Sequence, residues 1–206
     1  MNMRTERESI LAIGRNTIAT EAKALATIEK NLDDSFASAV ECIHKCSGRL
    51  IITGLGKSGH VARKIAATLT STGTRASFLH ATEALHGDLG IIAPDDVVMA
   101  LSYSGETEEV VRVAEFVAAN NNTLIVMTGN NSSSLAKLAN IVLNTHVEDE
   151  GTILDIVPTS STTVQLAMGD AIAAALMHIL DFHASDFARV HPGGYIEKRI
   201  KDSNIE

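Results

Sequence analysis

Two short loops, each set between an apolar run and a helical pattern, limit what this chain can fold into. Gly54-Leu55-Gly56-Lys57-Ser58-Gly59 follows the apolar residues 50–53, and Ser102-Tyr103-Ser104-Gly105-Glu106-Thr107 follows those at 97–101. A strand–loop–helix unit of this kind aims bare backbone N–H groups and the positive end of a helix dipole at one spot, which suits an anion. Glycine lets the backbone come close to such a ligand, and serine and threonine hydroxyls add donors. The first implication is a phosphorylated small molecule.

Around these loops, apolar runs and helical patterns alternate. Strands are predicted at 49–53, 75–79, 97–101, 123–128 and 141–145, and helices at 58–71, 107–119, 132–139 and 160–182, with a short one at 194–200. Residues 6–45 carry Ala, Leu and Ile at helical spacing. They read as one or two N-terminal helices, broken near 31–35 where Asp33, Asp34 and Ser35 offer caps. The alternation implies an α/β fold: a doubly wound, five-stranded parallel sheet flanked by helices, flavodoxin-like, behind a helical N-terminal segment. In strand order 2-1-3-4-5 the first and third strands are neighbours, so both loops open on one topological switch point. No linker or repeat interrupts residues 1–206, and we expect one domain.

Composition narrows the partners. Of 206 residues, 45% are hydrophobic and only 3% aromatic, which suits a core of small aliphatic side chains. A net charge of −8 argues against nucleic acid or an anionic membrane. No run reads as membrane-spanning, and the charged start has no signal core. Cys42 and Cys46, four apart on one helical face, read as reduced, half-buried thiols in a cytoplasmic protein. The first loop matches G-x-G-x-x-G, but no acid ends the second strand to hold a ribose. A P-loop fails because position 51 is Ile51.

Three hydroxyls within six residues, Ser102, Ser104 and Thr107, exceed what one helix cap requires. With Gly105 and Ser58 they form the expected phosphate site. A third cluster, Thr159-Ser160-Ser161-Thr162-Thr163, opens the longest helix. Thr159, Ser160 and Ser161, with Gly56, are the expected contacts to sugar hydroxyls. His86 (in Leu85-His86-Gly87-Asp88) and His191 (before Pro192-Gly193-Gly194) stand beside glycines that let a ligand approach. His178, inside the long helix, reads as a partnered core residue. Glu148, Asp149 and Glu150 follow the fifth strand, where a carboxylate can reach the crevice or form a solvated turn.

Assembled, these segments resemble the sugar isomerase (SIS) domain family, and within it the arabinose 5-phosphate isomerases that supply the precursor of the bacterial sugar Kdo. The resemblance rests on Gly54-Leu55-Gly56-Lys57-Ser58-Gly59-His60, His86-Gly87-Asp88, residues 102–107, Pro158 with the cluster 159–163, Met168-Gly169-Asp170-Ala171, and His191-Pro192-Gly193-Gly194, in family order over about 150 residues. It implies reversible isomerisation of ribulose 5-phosphate and arabinose 5-phosphate through an enediolate. Family active-site positions fall on Lys57, His86, Glu109, Glu150 and His191. It also implies a homotetramer with sites between subunits, in which neighbours can supply His86 and His191. No cofactor and no metal are expected, since a proton shift needs neither. Family members usually append a pair of CBS modules. This chain ends at Glu206, so no CBS regulation is expected. Tyr103 stands where the family pattern has Asn, and Ala81-Thr82 replace Pro-Gly.

The chemistry requires a base for the proton moving between C1 and C2, an acid for the oxygens, and a cation for the developing oxyanion. Glu150 is the first choice for the base and His191 the second, with Lys57 supplying the charge. Two alternatives stand: an isomerase for another sugar phosphate, such as a hexulose 6-phosphate or sedoheptulose 7-phosphate, and a non-catalytic sugar-phosphate sensor. A regulator of the latter kind would need an N-terminal DNA-binding domain, for which residues 1–47 are too short.

Overall fold

A computed structural model describes residues 3–192 of the chain. Two helices, α1 (Met3–Lys30) and α2 (Asp34–Lys45), lead into alternating strands and helices. These are β1 (Leu50–Gly54), α3 (Gly56–Ser71), β2 (Ala76–His80), α4 (Ala81–Ala84), β3 (Val97–Leu101), α5 (Glu108–Ala119), β4 (Thr123–Thr128), α6 (Ser134–Leu138), β5 (Ile141–Asn144), α7 (Ser160–Ile179) and α8 (Ala184–Arg189). The break between α1 and α2 is capped as the sequence suggests. Asp33 accepts the Ser35 N–H at 2.9 Å, and its carboxyl stays below the usual carboxylate range because the Ser35 hydroxyl and amide both donate to it.

All five strands are parallel, in the order β2-β1-β3-β4-β5. Side chains alternate across the sheet, and both faces are covered, which is why the strands read as unbroken apolar runs. Leu50, Ile52, Met99, Leu101, Ile125 and Met127 face Ile65 and Leu69 of α3 and Met168, Ile172 and Leu176 of α7. Ile51, Val98, Ala100, Leu124 and Val126 face Val110, Val113, Ala114 and Val117 of α5. Cutting one of these central side chains back to alanine costs about 2–5 kcal/mol.

The register sets the site. Gly54 at the end of β1 pairs with Leu101 of β3 and with His80 of β2, so three strands end level. Helices α3 and α7 both start at this edge and run together down the sheet. A Cβ on Gly169 would collide with the Ile65 side chain, and Lys64 bonds Asp170 at 2.5 Å. Two turns back along each helix, Ser161 comes level with Lys57.

Two expectations are corrected. α7, at 20 residues, is long and apolar enough by length and composition to cross a membrane. It is instead a core helix, with one face buried against the sheet and α3. His178 is exposed near the end of α7 rather than partnered in the core. The helix expected at 194–200, with Gly193 and Gly194, lies outside the described residues.

Candidate active site

The two loops meet at the carboxyl edge of the sheet, and they are built differently. In the first, glycines make room for backbone. Gly56 opens α3 with φ +57, a conformation that L side chains rarely adopt. A Cβ on Gly59 would sit 2.9 Å from the Gly54 carbonyl oxygen, so this glycine lets α3 close against the end of β1. Ser58 is half-buried. Lys57 is exposed and, among the described residues, makes no ion pair.

The second loop is tied by its own polar atoms. The buried Ser102 hydroxyl pairs with the Thr107 hydroxyl at 3.0 Å and accepts the Gly105 N–H at 3.2 Å. The Ser104 oxygen accepts the Glu106 N–H, leaving its own proton toward solvent. Gly105 has φ +68, and a Cβ there would collide with the Ser133 hydroxyl. Glu106 accepts the Ser134 N–H at 2.9 Å, and that hydrogen bond holds its carboxyl below the usual range. Two of the three hydroxyls are therefore fixed by each other, and Ser104 is the freest donor. Glu109, half-buried, lies one residue inside α5.

Glu150 is the best-buried carboxylate at this edge, 8% exposed. After β5 the chain turns back over the sheet toward the start of α7. Glu150 Oε2 accepts the backbone N–H groups of Thr159 at 2.8 Å and Ser161 at 3.0 Å. The Thr159 hydroxyl donates to the Glu150 carbonyl, and the Glu150 N–H donates to Asp155 Oδ1 at 2.7 Å. One carboxylate oxygen thus anchors the helix terminus, and no described hydrogen bond engages Oε1. The Ser160 and Ser161 hydroxyls are buried beside it without partners among the described residues. α1 supports this segment: the Thr17 hydroxyl donates to the Gly151 carbonyl at 2.7 Å, and Lys23 pairs with Glu148 at 3.0 Å. Beyond Gly151 the chain exposes Ile153 (87%) and Ile156 (76%).

The histidines divide. His86 follows α4 beyond the end of β2, exposed, ahead of Gly87 at φ +124. His80 ends β2 opposite Gly54, with a buried Nδ1 that finds no partner among the described residues. No motif or spacing in the sequence singles it out. His191 is elsewhere. α7 carries the chain about 30 Å down the sheet, and Phe182 packs on Gly73, at the turn that enters β2 from the opposite edge. Beyond α8, His191 bonds the Phe187 carbonyl and stacks on the Phe187 ring at 4.0 Å. Lys57, Ser58, His86, Ser102, Ser104, Thr107, Glu109, Glu150 and residues 159–161 share one edge. His191 does not join them within its own chain.

Among the described residues no three His, Cys, Asp or Glu side chains gather as a metal site. A cavity of about 730 Å³ lies between α1 and the edge strand β5, and its wall includes Val147 and Glu148 beside the candidate site.

The SIS domain family model matches residues 43–175. The arabinose 5-phosphate isomerase KdsD of Pseudomonas aeruginosa is 46% identical over 200 residues, covering 97% of this chain and 61% of that protein. The KpsF arabinose 5-phosphate isomerase of Escherichia coli O6:H1 is 44% identical, covering 90% of this chain and 57% of that protein. The chain thus spans about 60% of the length of the curated relatives it matches. Among solved structures, an Escherichia coli CFT073 protein in complex with arabinose 5-phosphate superimposes with a TM-score of 0.87 at 38% identity, over 93% of this chain and all of the other.

Proposed function

The chain belongs to the SIS domain family, and we propose that it interconverts D-ribulose 5-phosphate and D-arabinose 5-phosphate through an enediolate. The observation that carries this reading is Glu150, whose carboxylate is anchored by one oxygen and open at the other, at the edge where both anion-type loops end. Relatives named as arabinose 5-phosphate isomerases, aligned over nearly the whole chain, support the choice of substrate.

In this mechanism Ser104, the Ser102–Thr107 pair, Ser58 and the amides around Gly105 hold the phosphate. The remote phosphate then supplies binding energy that orients the reacting carbons. Glu150 Oε1 takes the C1 proton of the ketose, exchanges it with solvent, and protonates C2. The electrons of the broken C–H bond pass through the enediolate, while a proton moves between O2 and O1. Lys57 stabilises the oxyanion, His86 serves the oxygen protons, Glu109 completes the charged wall, and Gly56 and residues 159–161 meet the sugar hydroxyls.

The place of His191, at the far end of its own chain, supports a reading in which another copy donates it. We propose a homotetramer with sites between subunits. Ile10, Leu11, Ile13 and Ile18 on α1, with Ile153 and Ile156, supply apolar surface for such contacts. We further propose that the enzyme acts in the cytoplasm, where the free thiols Cys42 and Cys46 stay reduced, and that its product feeds Kdo biosynthesis.

Proton NMR in D2O with ribulose 5-phosphate, beside fructose 6-phosphate and sedoheptulose 7-phosphate, tests the substrate. Turnover of a different sugar corrects the substrate and keeps the chemistry. Binding without turnover of any of them favours a sensor.

A further inference from the structure

The departure at Tyr103 has a structural role in the described chain. Its backbone carbonyl accepts the Gly129 N–H at 2.9 Å and the Thr128 hydroxyl at 3.1 Å, which fixes it to the end of β4. Its ring lies against Gly129. A Cβ there would collide with the ring, so glycine is what lets the ring through. From that seat the phenol reaches the segment after β5. It accepts the Val147 N–H and donates to the Val147 carbonyl, both at 3.3 Å. A single hydroxyl thereby satisfies both backbone groups of a buried residue three positions before Glu150.

We propose that Tyr103 is a positioning residue: by clamping Val147, it makes the phosphate-type loop set the position of the Glu150 carboxylate. This rests on the isomerase reading for its catalytic consequence, though not for the clamp itself. Among the described hydrogen bonds between residues 102–107 and 145–151, those of the Tyr103 hydroxyl are the only connection. Neighbouring supports of residues 145–151 come from elsewhere: Thr128, α1 and the start of α7. The clamp needs a protonated phenol, because one of its two bonds is a donation. Burial raises the Tyr103 pKa above its ordinary value, and the Glu150 and Asp155 carboxylates push it the same way. The phenol therefore stays intact across the working range of pH. A base displaced by about 1 Å can cost a hundredfold in rate, so a clamp at this place acts on turnover more than on binding.

The test is Tyr103→Phe, which keeps the ring on Gly129 and removes both bonds to Val147. With ribulose 5-phosphate we expect kcat to fall by about tenfold while KM and inhibition by inorganic phosphate change by less than about twofold. Unchanged kcat, or a change in KM alone, overturns the proposal. Hydrogen exchange gives a second readout that does not depend on activity. Amides 146–151 should exchange faster in Tyr103→Phe than in the parent, and inorganic phosphate should slow them in the parent only. Equal exchange in both proteins refutes the clamp. A parent without isomerase activity would sink the proposed function and leave this arm to decide the clamp. If Tyr103→Phe is too unstable to assay, Gly129→Ala displaces the ring with the hydroxyl intact and should move both readouts in the same direction.

Discussion

The loop after β3 and the crossover after β5 bring polar groups to the same edge, by opposite means. The first takes six residues, 102–107, and binds itself: Ser102 to Thr107 and Gly105, Ser104 to Glu106, with Gly105 where a Cβ would collide with Ser133. The second takes fifteen, 145–159, and is held from outside, by Tyr103, Thr17, Lys23 and the first amides of α7. It also exposes Ile153 and Ile156. A phosphate site can be finished locally because its ligand is small and its charge fixed. A carboxylate that must meet a reacting carbon needs several elements to agree on its position.

The largest effect should come from the crossover's carboxylate. Glu150→Gln keeps an oxygen to accept from Thr159 and Ser161, so its melting temperature should stay near that of the parent. Its kcat should fall by roughly 10²–10⁴-fold, with loss of hydrogen exchange at C2. Retained exchange would move the base elsewhere and erase the contrast between the two regions.

Charging the exposed apolar stretch comes next. Ile153→Asp with Ile156→Asp should weaken assembly by roughly 2 kcal/mol or more if these side chains sit at the centre of a contact between copies. Light scattering should then show smaller species, with activity falling in parallel because His191 no longer reaches a neighbouring site. An active monomer would break the account of the crossover.

The self-bound loop should answer differently. Gly105→Ala forces a side chain into φ +68 and against Ser133, costing about 1–3 kcal/mol in urea unfolding and weakening inhibition by inorganic phosphate. Ser104→Ala should leave stability alone and raise KM by roughly tenfold, the worth of one hydrogen bond to a charged group.

The smallest effect concerns pH. Lys23 lowers the Glu148 pKa, chiefly by donating to it. The folded value lies below the unfolded one, so the pair stabilises above the unfolded carboxyl pKa, and the benefit is lost as pH falls through the folded value. The gap in melting temperature between the parent and Lys23→Met should persist at neutral pH and close in acid.

Much of this is legible in the sequence because local rules and the fold agree. Short apolar runs between helical patterns mark the five strands, and the common doubly wound order 2-1-3-4-5 agrees with the placing of the two loops side by side. The loop glycines are readable for the same reason: positive φ and close approach are backbone demands. Partners across the chain are not readable. Nothing near Glu150 says that its carboxylate will meet the amides of residues 159 and 161. Nor does anything near Tyr103 say that its hydroxyl will meet Val147, forty-four residues away. His178 misleads because a histidine among apolar neighbours reads as core, while the helix has already left the core at that turn. His191 shows a third limit: its motif is plain, but nothing in the motif says that the chain will carry it to Phe187, away from the other candidate residues.

Proton NMR of ribulose 5-phosphate with the purified protein in D2O decides between an isomerase and a sensor. An isomerase acting through Glu150 yields arabinose 5-phosphate carrying deuterium at C2. A folded protein that binds ribulose 5-phosphate, yet neither forms the aldose nor exchanges the C1 proton, is not an isomerase of this sugar.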